Sequence, residues 1–282
     1  SGNIYLSDQL GIDSRRHVFF GGNDFAKRWG AEKNLSFTIG ETGFGAGLNF
    51  LITAEAWLKY RGLEGTGILN FVSAENSPLP KKDLIRILSL TPEFSELAND
   101  LIEYYPPPIS GIHRLYFKDK NIALTLMYGD AYDMLSSIKN SEHPFFERAN
   151  NPIFDAWFLD GFSPKNNPEI WSAEVFRVIA DLSQPGTTFS ASTTDNFTKE
   201  RLIQAGFSSE TITHSKSKVG YTRGQLIDWK NKHIPKKSWN PTLFNSSHKA
   251  PWYLTPEIKK PSKAIIIGGG ISGCSTARAL AE

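Results

Sequence analysis

Between Leu35 and Tyr60 few arrangements of the backbone are open to this chain. Leu35 to Ile39 is a short strand pattern that runs into the loop Gly40-Glu41-Thr42-Gly43-Phe44-Gly45-Ala46-Gly47, and Leu48 to Tyr60 carries apolar residues at helical spacing. Strand, glycine loop and helix follow in that order. Glycines let the backbone pass close to a ligand, and the amino terminus of the helix offers unpaired N–H groups. Ile68 to Ser73 reads as a second strand ending at Glu75, and Ile122 to Tyr128 as a third closing on Gly129-Asp130-Ala131. Ala156 to Leu159 is a fourth, wholly apolar and so expected to be buried on both faces, closing on Asp160-Gly161-Phe162-Ser163-Pro164. Strands alternating with helices predict an α/β fold, a doubly wound, mostly parallel sheet of Rossmann-like type, with its ligand at the carboxyl ends of the strands. Glu41, Glu75, Asp130 and Asp160 fall at those four ends. Taken singly, an acidic residue after a strand is more often a helix cap. Four in register point to a site.

The choice of ligand follows from the loop. It reads E-x-G-x-G-x-G, and the leading carboxylate of Glu41 would repel a pyrophosphate. S-adenosylmethionine has no phosphate, carries an ammonium that an anion suits, and leaves its ribose and adenine to Glu75 and Asp130. The expected class is therefore a class I S-adenosylmethionine-dependent methyltransferase, with cofactor residues Glu41, Gly43, Gly45, Gly47, Glu75, Asp130 and Ala131. Two rivals stand beside it. One is an oxidoreductase whose early loop binds NAD, disfavoured by Glu41 and separable by equilibrium dialysis with the two cofactors. The other is a catalytically idle RNA-binding module.

That second rival draws on charge. The formal net charge of +2 hides an asymmetry: residues 1–195 carry 17 Lys/Arg against 24 Asp/Glu, whereas residues 196–263 carry 13 against 4, a net of +9. A local excess of this size is either the footprint of a polyanion or a solvated linker. The length of 282 residues allows one large domain or two small ones. One cysteine, Cys274, gives no internal disulfide and suits a reducing compartment. No apolar run approaches the roughly 20 residues of a membrane span, so the expected location is the cytoplasm, away from the membrane. The six histidines have no metal-ligand spacing, and no metal is expected.

The motifs I-Y-L-S and V-F-F-G-G-N-D-F-A-K-R-W near the start, E-T-G-F-G-A-G-L-N-F at the loop, F-D-A-W-F-L-D-G-F-S-P and A-P-W-Y together resemble the MnmC family of bacterial bifunctional tRNA wobble-uridine enzymes, over essentially the whole chain. The resemblance implies a methyltransferase domain followed by an FAD-dependent oxidase domain. In the whole protein the oxidase removes the carboxymethyl group from 5-carboxymethylaminomethyl-(2-thio)uridine, and the methyltransferase then methylates the resulting primary amine. The partner implied is tRNA, through its anticodon stem-loop. Asp160 becomes the residue to orient and deprotonate the amine. Phe162 would cover the uracil face, Pro164 would stiffen the turn, and Lys165 would lie beside the substrate. Three stretches depart from the family pattern: the lysine before Asn-Pro is displaced by Asn166, and Asp195–Leu202 and Thr222–Gln225 replace more basic segments. They bear on tRNA contacts rather than on the cofactor.

Near the carboxyl end, A-I-I-I-G-G-G-I-S-G-C carries G-x-G-x-x-G at Gly268, Gly270 and Gly273. By resemblance it is the first strand and loop of the FAD-binding domain, incomplete because the next strand and its acidic residue do not follow. The expected organisation is a methyltransferase domain over 1–228, a basic linker over 229–263 and the start of an FAD-binding unit over 264–282. Only the methyl transfer is expected of these residues. Tyr104-Tyr105-Pro106-Pro107-Pro108 is expected to be a rigid turn, and Trp57 and Leu58 to be core.

Overall fold

In the computed structural model, residues 9–29, 36–61, 67–140, 154–161, 167–213 and 220–227 are described. All of them belong to the first of two compact units, Ser1–His248. The second, Lys249–Glu282, lies outside the described residues, and with it Gly268, Gly270 and Gly273; so do the boundaries expected at 228 and 263.

The strands are β1 (Ser36–Thr42), β2 (Ile68–Glu75), β3 (Gly111–Phe117), β4 (Ile122–Tyr128), β5 (Phe154–Leu159), β6 (Ser183–Ala191), β7 (Glu210–Thr213) and β8 (Gly220–Gln225). They form one sheet in the order β3-β4-β2-β1-β5-β6-β8-β7. The run β4-β2-β1-β5-β6 is parallel throughout. β3 lies antiparallel to β4, and β8 antiparallel to both β6 and β7. The four strands expected from the sequence are the adjacent group at the centre of this sheet. From β1 the chain winds outward through β2 to β4, then returns to β5 and winds outward the other way through β6. The reversal falls between β1 and β5, which is where a doubly wound sheet opens a crevice at its carboxyl edge.

Helices α1 (Gln9–Arg15) and α2 (Phe25–Trp29) flank a π-helical stretch, Arg16–Gly21, and precede the sheet. The others are α3 (Leu48–Arg61), α4 (Lys81–Leu88), α5 (Ser95–Tyr104), α6 (Ala131–Asn140), α7 (Ala173–Asp181) and α8 (Asn196–Gln204). Side chains alternate across a strand, so β5 feeds two cores. Ala156 and Phe158 of β5 join one apolar cluster with Phe25, Trp29, Leu51 and Trp57. Trp157 and Leu159 join the other with Phe176, Ile179 and Leu202. All seven residues of β4 are buried. Trp57 is core as expected, whereas Leu58 is only partly buried. After Tyr104 the helix stops, and Tyr105 to Ser110 continue as irregular chain.

The aromatic motif at Val18–Trp29 serves packing. Phe25 and Trp29 stack at 4.8 Å, Trp29 meets Trp57 edge-on at 5.1 Å, and Asn23, fully buried, donates to the Phe19 carbonyl and accepts from Thr188 Oγ1. This packing carries the amino-terminal helices onto the sheet and brings Arg15 to its carboxyl edge.

Candidate active site

β1 delivers Glu41, with only 1% of its surface exposed, to the switch point, and the chain then turns through Gly43, Gly45 and Gly47, at φ of 101°, 55° and 76°. Two of these glycines differ in their surroundings. A Cβ on Gly43 would come within 3.0 Å of the Asp160 carbonyl, so the loop passes against the end of β5. A Cβ on Gly45 would meet nothing within 4 Å, so here the backbone borders open space. A loop with its backbone bared beside a carboxylate suits a nucleoside whose ribose needs an acceptor. That carboxylate is Glu75, at the end of β2: its Oε2 accepts from Gly45 N at 2.9 Å and its Oε1 from Ser77 N at 2.7 Å. Asp130, after β4, accepts from Tyr132 N at 2.8 Å and Asp133 N at 3.3 Å, so it caps α6 while staying at the same edge. Ala131 is buried in the first turn of that helix.

Asp160 follows β5. Its Oδ2 takes Nη1 of Arg15 at 2.5 Å and Nδ2 of Asn49 at 2.9 Å; its Oδ1 takes Gly161 N and Ser192 Oγ, each at 3.0 Å. The carboxylate is 15% exposed. Asn49 also donates to Glu41 Oε1 at 2.8 Å and accepts from Arg15 at 2.9 Å, while Ser73 donates to Glu41 Oε2 at 2.6 Å. Glu41 thus faces Asn49 and Ser73 from within the protein. Burial pushes its carboxyl up to about 8, with Ser73 and Asn49 pulling the other way.

The four acidic residues at the strand ends therefore share one edge, with the glycine loop between them. Phe162, Pro164, Lys165 and Asn166 lie outside the described residues. Of the other departures, Asp195 caps α8 by accepting from Thr198 N, and Thr222–Gln225 belong to β8. Arg15, Asn49, Ser73 and Ser192 were missed from sequence. Asn49 had one available signal, its place in the loop motif directly after Gly47-Leu48. The others had none, since they come from distant parts of the chain. Among the described residues no group of three or more His, Cys, Asp or Glu is placed to hold a metal ion, and no helix is long and apolar enough to cross a membrane.

A family model described as an S-adenosyl-L-methionine-dependent methyltransferase matches residues 92–230. The tRNA 5-methylaminomethyl-2-thiouridine biosynthesis bifunctional protein MnmC of Aeromonas salmonicida (strain A449) is 36% identical over 282 residues, covering 100% of this chain. The chain belongs to the MnmC family. It spans 39% of that relative's length, the methyltransferase part. The protein of the same name from Legionella pneumophila (strain Corby) is also 36% identical, over 99% of this chain and 41% of its own length. Among solved structures, MNMC2 from Aquifex Aeolicus matches with a TM-score of 0.59 at 19% identity, covering 79% of this chain and 63% of that one. This is a likeness of fold.

Proposed function

We propose that the chain moves a methyl group from S-adenosylmethionine to the primary amine of 5-aminomethyl-(2-thio)uridine at the wobble position of tRNA, a cytoplasmic step in RNA maturation. The observation that carries the reading is a carboxylate, Asp160, fixed at the switch point against a glycine loop that borders open space. The names of the relatives supply the substrate class. Residues for the cofactor are the Gly43–Gly47 backbone, Glu75 for the ribose hydroxyls, and Asp130 with Ala131 for the base, with Glu41 shaping the floor. The cofactor supplies an electrophilic methyl group on a sulfonium, whose sulfur keeps the bonding pair when the amine nitrogen takes the carbon.

An amine is an ammonium at neutral pH and has no lone pair to offer, so it must first lose a proton. Asp160 Oδ2 is held by Arg15 and Asn49, and Oδ1, which accepts from Gly161 N and Ser192 Oγ, is the oxygen proposed to take the proton of the ammonium. The Ser192 hydroxyl on Oδ1 is rotatable and can give way. Most of the rate gain comes from holding amine and methyl group in line. Phe162, Pro164 and Lys165 are proposed to receive the uracil and its backbone. In the whole protein we propose a fused FAD-dependent oxidase that prepares this amine.

The test is single-turnover methyl transfer to tRNA carrying aminomethyl-uridine, with Asp160→Asn alongside. Transfer by the wild type and a loss of roughly 10²- to 10⁴-fold in the variant is expected, because Asn keeps the shape and removes the base. No transfer by the wild type would overturn the reading. Near wild-type turnover in the variant would remove Asp160 as the base.

A further inference from the structure

We propose that Asn49 is a positioning residue for methyl transfer, aiming Asp160 by joining it to Glu41 through one amide; this rests on the function proposed above. Asn49 is the second residue of α3, two positions after Gly47, and is 5% exposed. A side-chain amide offers two N–H donors and one carbonyl acceptor. Here all are engaged: Nδ2 gives to Glu41 Oε1 at 2.8 Å and to Asp160 Oδ2 at 2.9 Å, and Oδ1 accepts from Arg15 Nη1 at 2.9 Å. Arg15 closes the ring onto the same Asp160 oxygen.

Two consequences follow from this connectivity. First, Asp160 cannot rotate about its own side chain without giving up both Oδ2 partners, so Oδ1 is presented at a fixed angle. Second, the Asn49 amide nitrogen is shared by the carboxyl groups of Glu41 and Asp160, and its two N–H groups are the donors between them. Remove those donors and the two carboxyls face each other without a shared partner. Asp160 Oδ2 then keeps Arg15 alone, and the carboxylate is free to turn off its line to the amine.

Two substitutions separate aim from scaffold. Asn49→Leu removes every polar atom; Asn49→Asp keeps the outline but loses both N–H groups. Each should lower the single-turnover rate at saturating cofactor and tRNA by up to about 10²-fold, the scale of loss for a misplaced reacting group, with little change in KM for tRNA. In the Asp160→Asn background the same substitutions should cost almost nothing more, because the residue they act through is already disabled. Losses that multiply in the double variants overturn the proposal, and so does a near wild-type rate in either folded single variant. If Asn49→Leu fails to fold, Asn49→Asp decides. If the wild-type chain transfers no methyl group, the function reading falls. Asn49 is then judged without substrate, by a double-mutant cycle of unfolding free energy between Asn49→Leu and Asp160→Asn, in which additive changes overturn the contact and coupled changes support it.

Discussion

Glu75 ends β2 with both oxygens already accepting from backbone N–H groups, and each oxygen keeps capacity for a second donor. Glu75→Ala removes the proposed ribose acceptor and also frees the loop at Gly45. S-adenosylmethionine binding should weaken by about 1.5 to 3 kcal/mol, the range for hydrogen bonds to a charged group; calorimetry that finds unchanged affinity would take Glu75 out of the site. Glu41 makes a different prediction. Its folded value of about 8 lies above the ordinary 4.5 expected once the chain unfolds. Between those values the native state holds a proton that the unfolded chain releases, so the stability present below pH 4.5 is lost as pH rises toward 8 and changes no further above it. Chemical denaturation of the cofactor-free chain across this window should show the decline, on the order of a few kcal/mol for a shift this large, and Glu41→Gln should flatten it. An equally steep slope in Glu41→Gln would assign the decline to other groups.

At the level of elements, the contact between β1 and β5 depends on Gly40. A Cβ built there would stand 2.2 Å from the Trp157 ring, whose Nε1 donates to Ser183 Oγ at 2.8 Å and so cannot turn aside freely. Gly40→Ala should therefore destabilise by about 1 to 3 kcal/mol, the cost of overpacking a tight core, measurable as a lower denaturation midpoint with an unchanged slope. A neutral Gly40→Ala would mean that Trp157 has room to move. The same strands show which elements could be read from sequence. β4 and β5 are apolar at almost every position because both faces are covered, and such runs announce themselves. β6 contains Gln184-Pro185-Gly186, where the pairing with β5 slips between Phe154 and Ala156, so its pattern is broken within the strand. β7 and β8, E-T-I-T and G-Y-T-R-G-Q, take their strand state from pairing with each other and with β6 rather than from their own residues.

For the whole molecule the governing quantity is charge. Residues 196–263 carry 13 Lys/Arg against 4 Asp/Glu, on a chain whose first 195 residues are net acidic. If this segment meets tRNA, each neutralised phosphate releases a counterion, and affinity must fall steeply with salt. Raising salt from about 50 to 200 mM should weaken tRNA binding by at least roughly 10²-fold, a little below the loss expected for six or more phosphate contacts, while S-adenosylmethionine affinity stays nearly constant. A flat response in a fluorescence titration would make the segment a solvated linker.

By itself the sequence determined the central parallel strands, the glycine loop and the four acidic strand ends, because strand periodicity, glycine and a terminal carboxylate are local properties that short stretches carry whole. Only the tertiary structure decided that Asp160 answers to Arg15, Asn49 and Ser192, which stand 145, 111 and 32 positions away along the chain. No local pattern encodes such a meeting. It arises because the sheet reverses its winding between β1 and β5 and the aromatic packing of Phe25, Trp29 and Trp57 carries α1 to that edge. Glu41 shows the same division: its position at the end of β1 was legible, but its turn inward to Ser73 and Asn49 became visible only once β2 and α3 had closed over it, since burial and hydrogen-bond partners are set by neighbours in space.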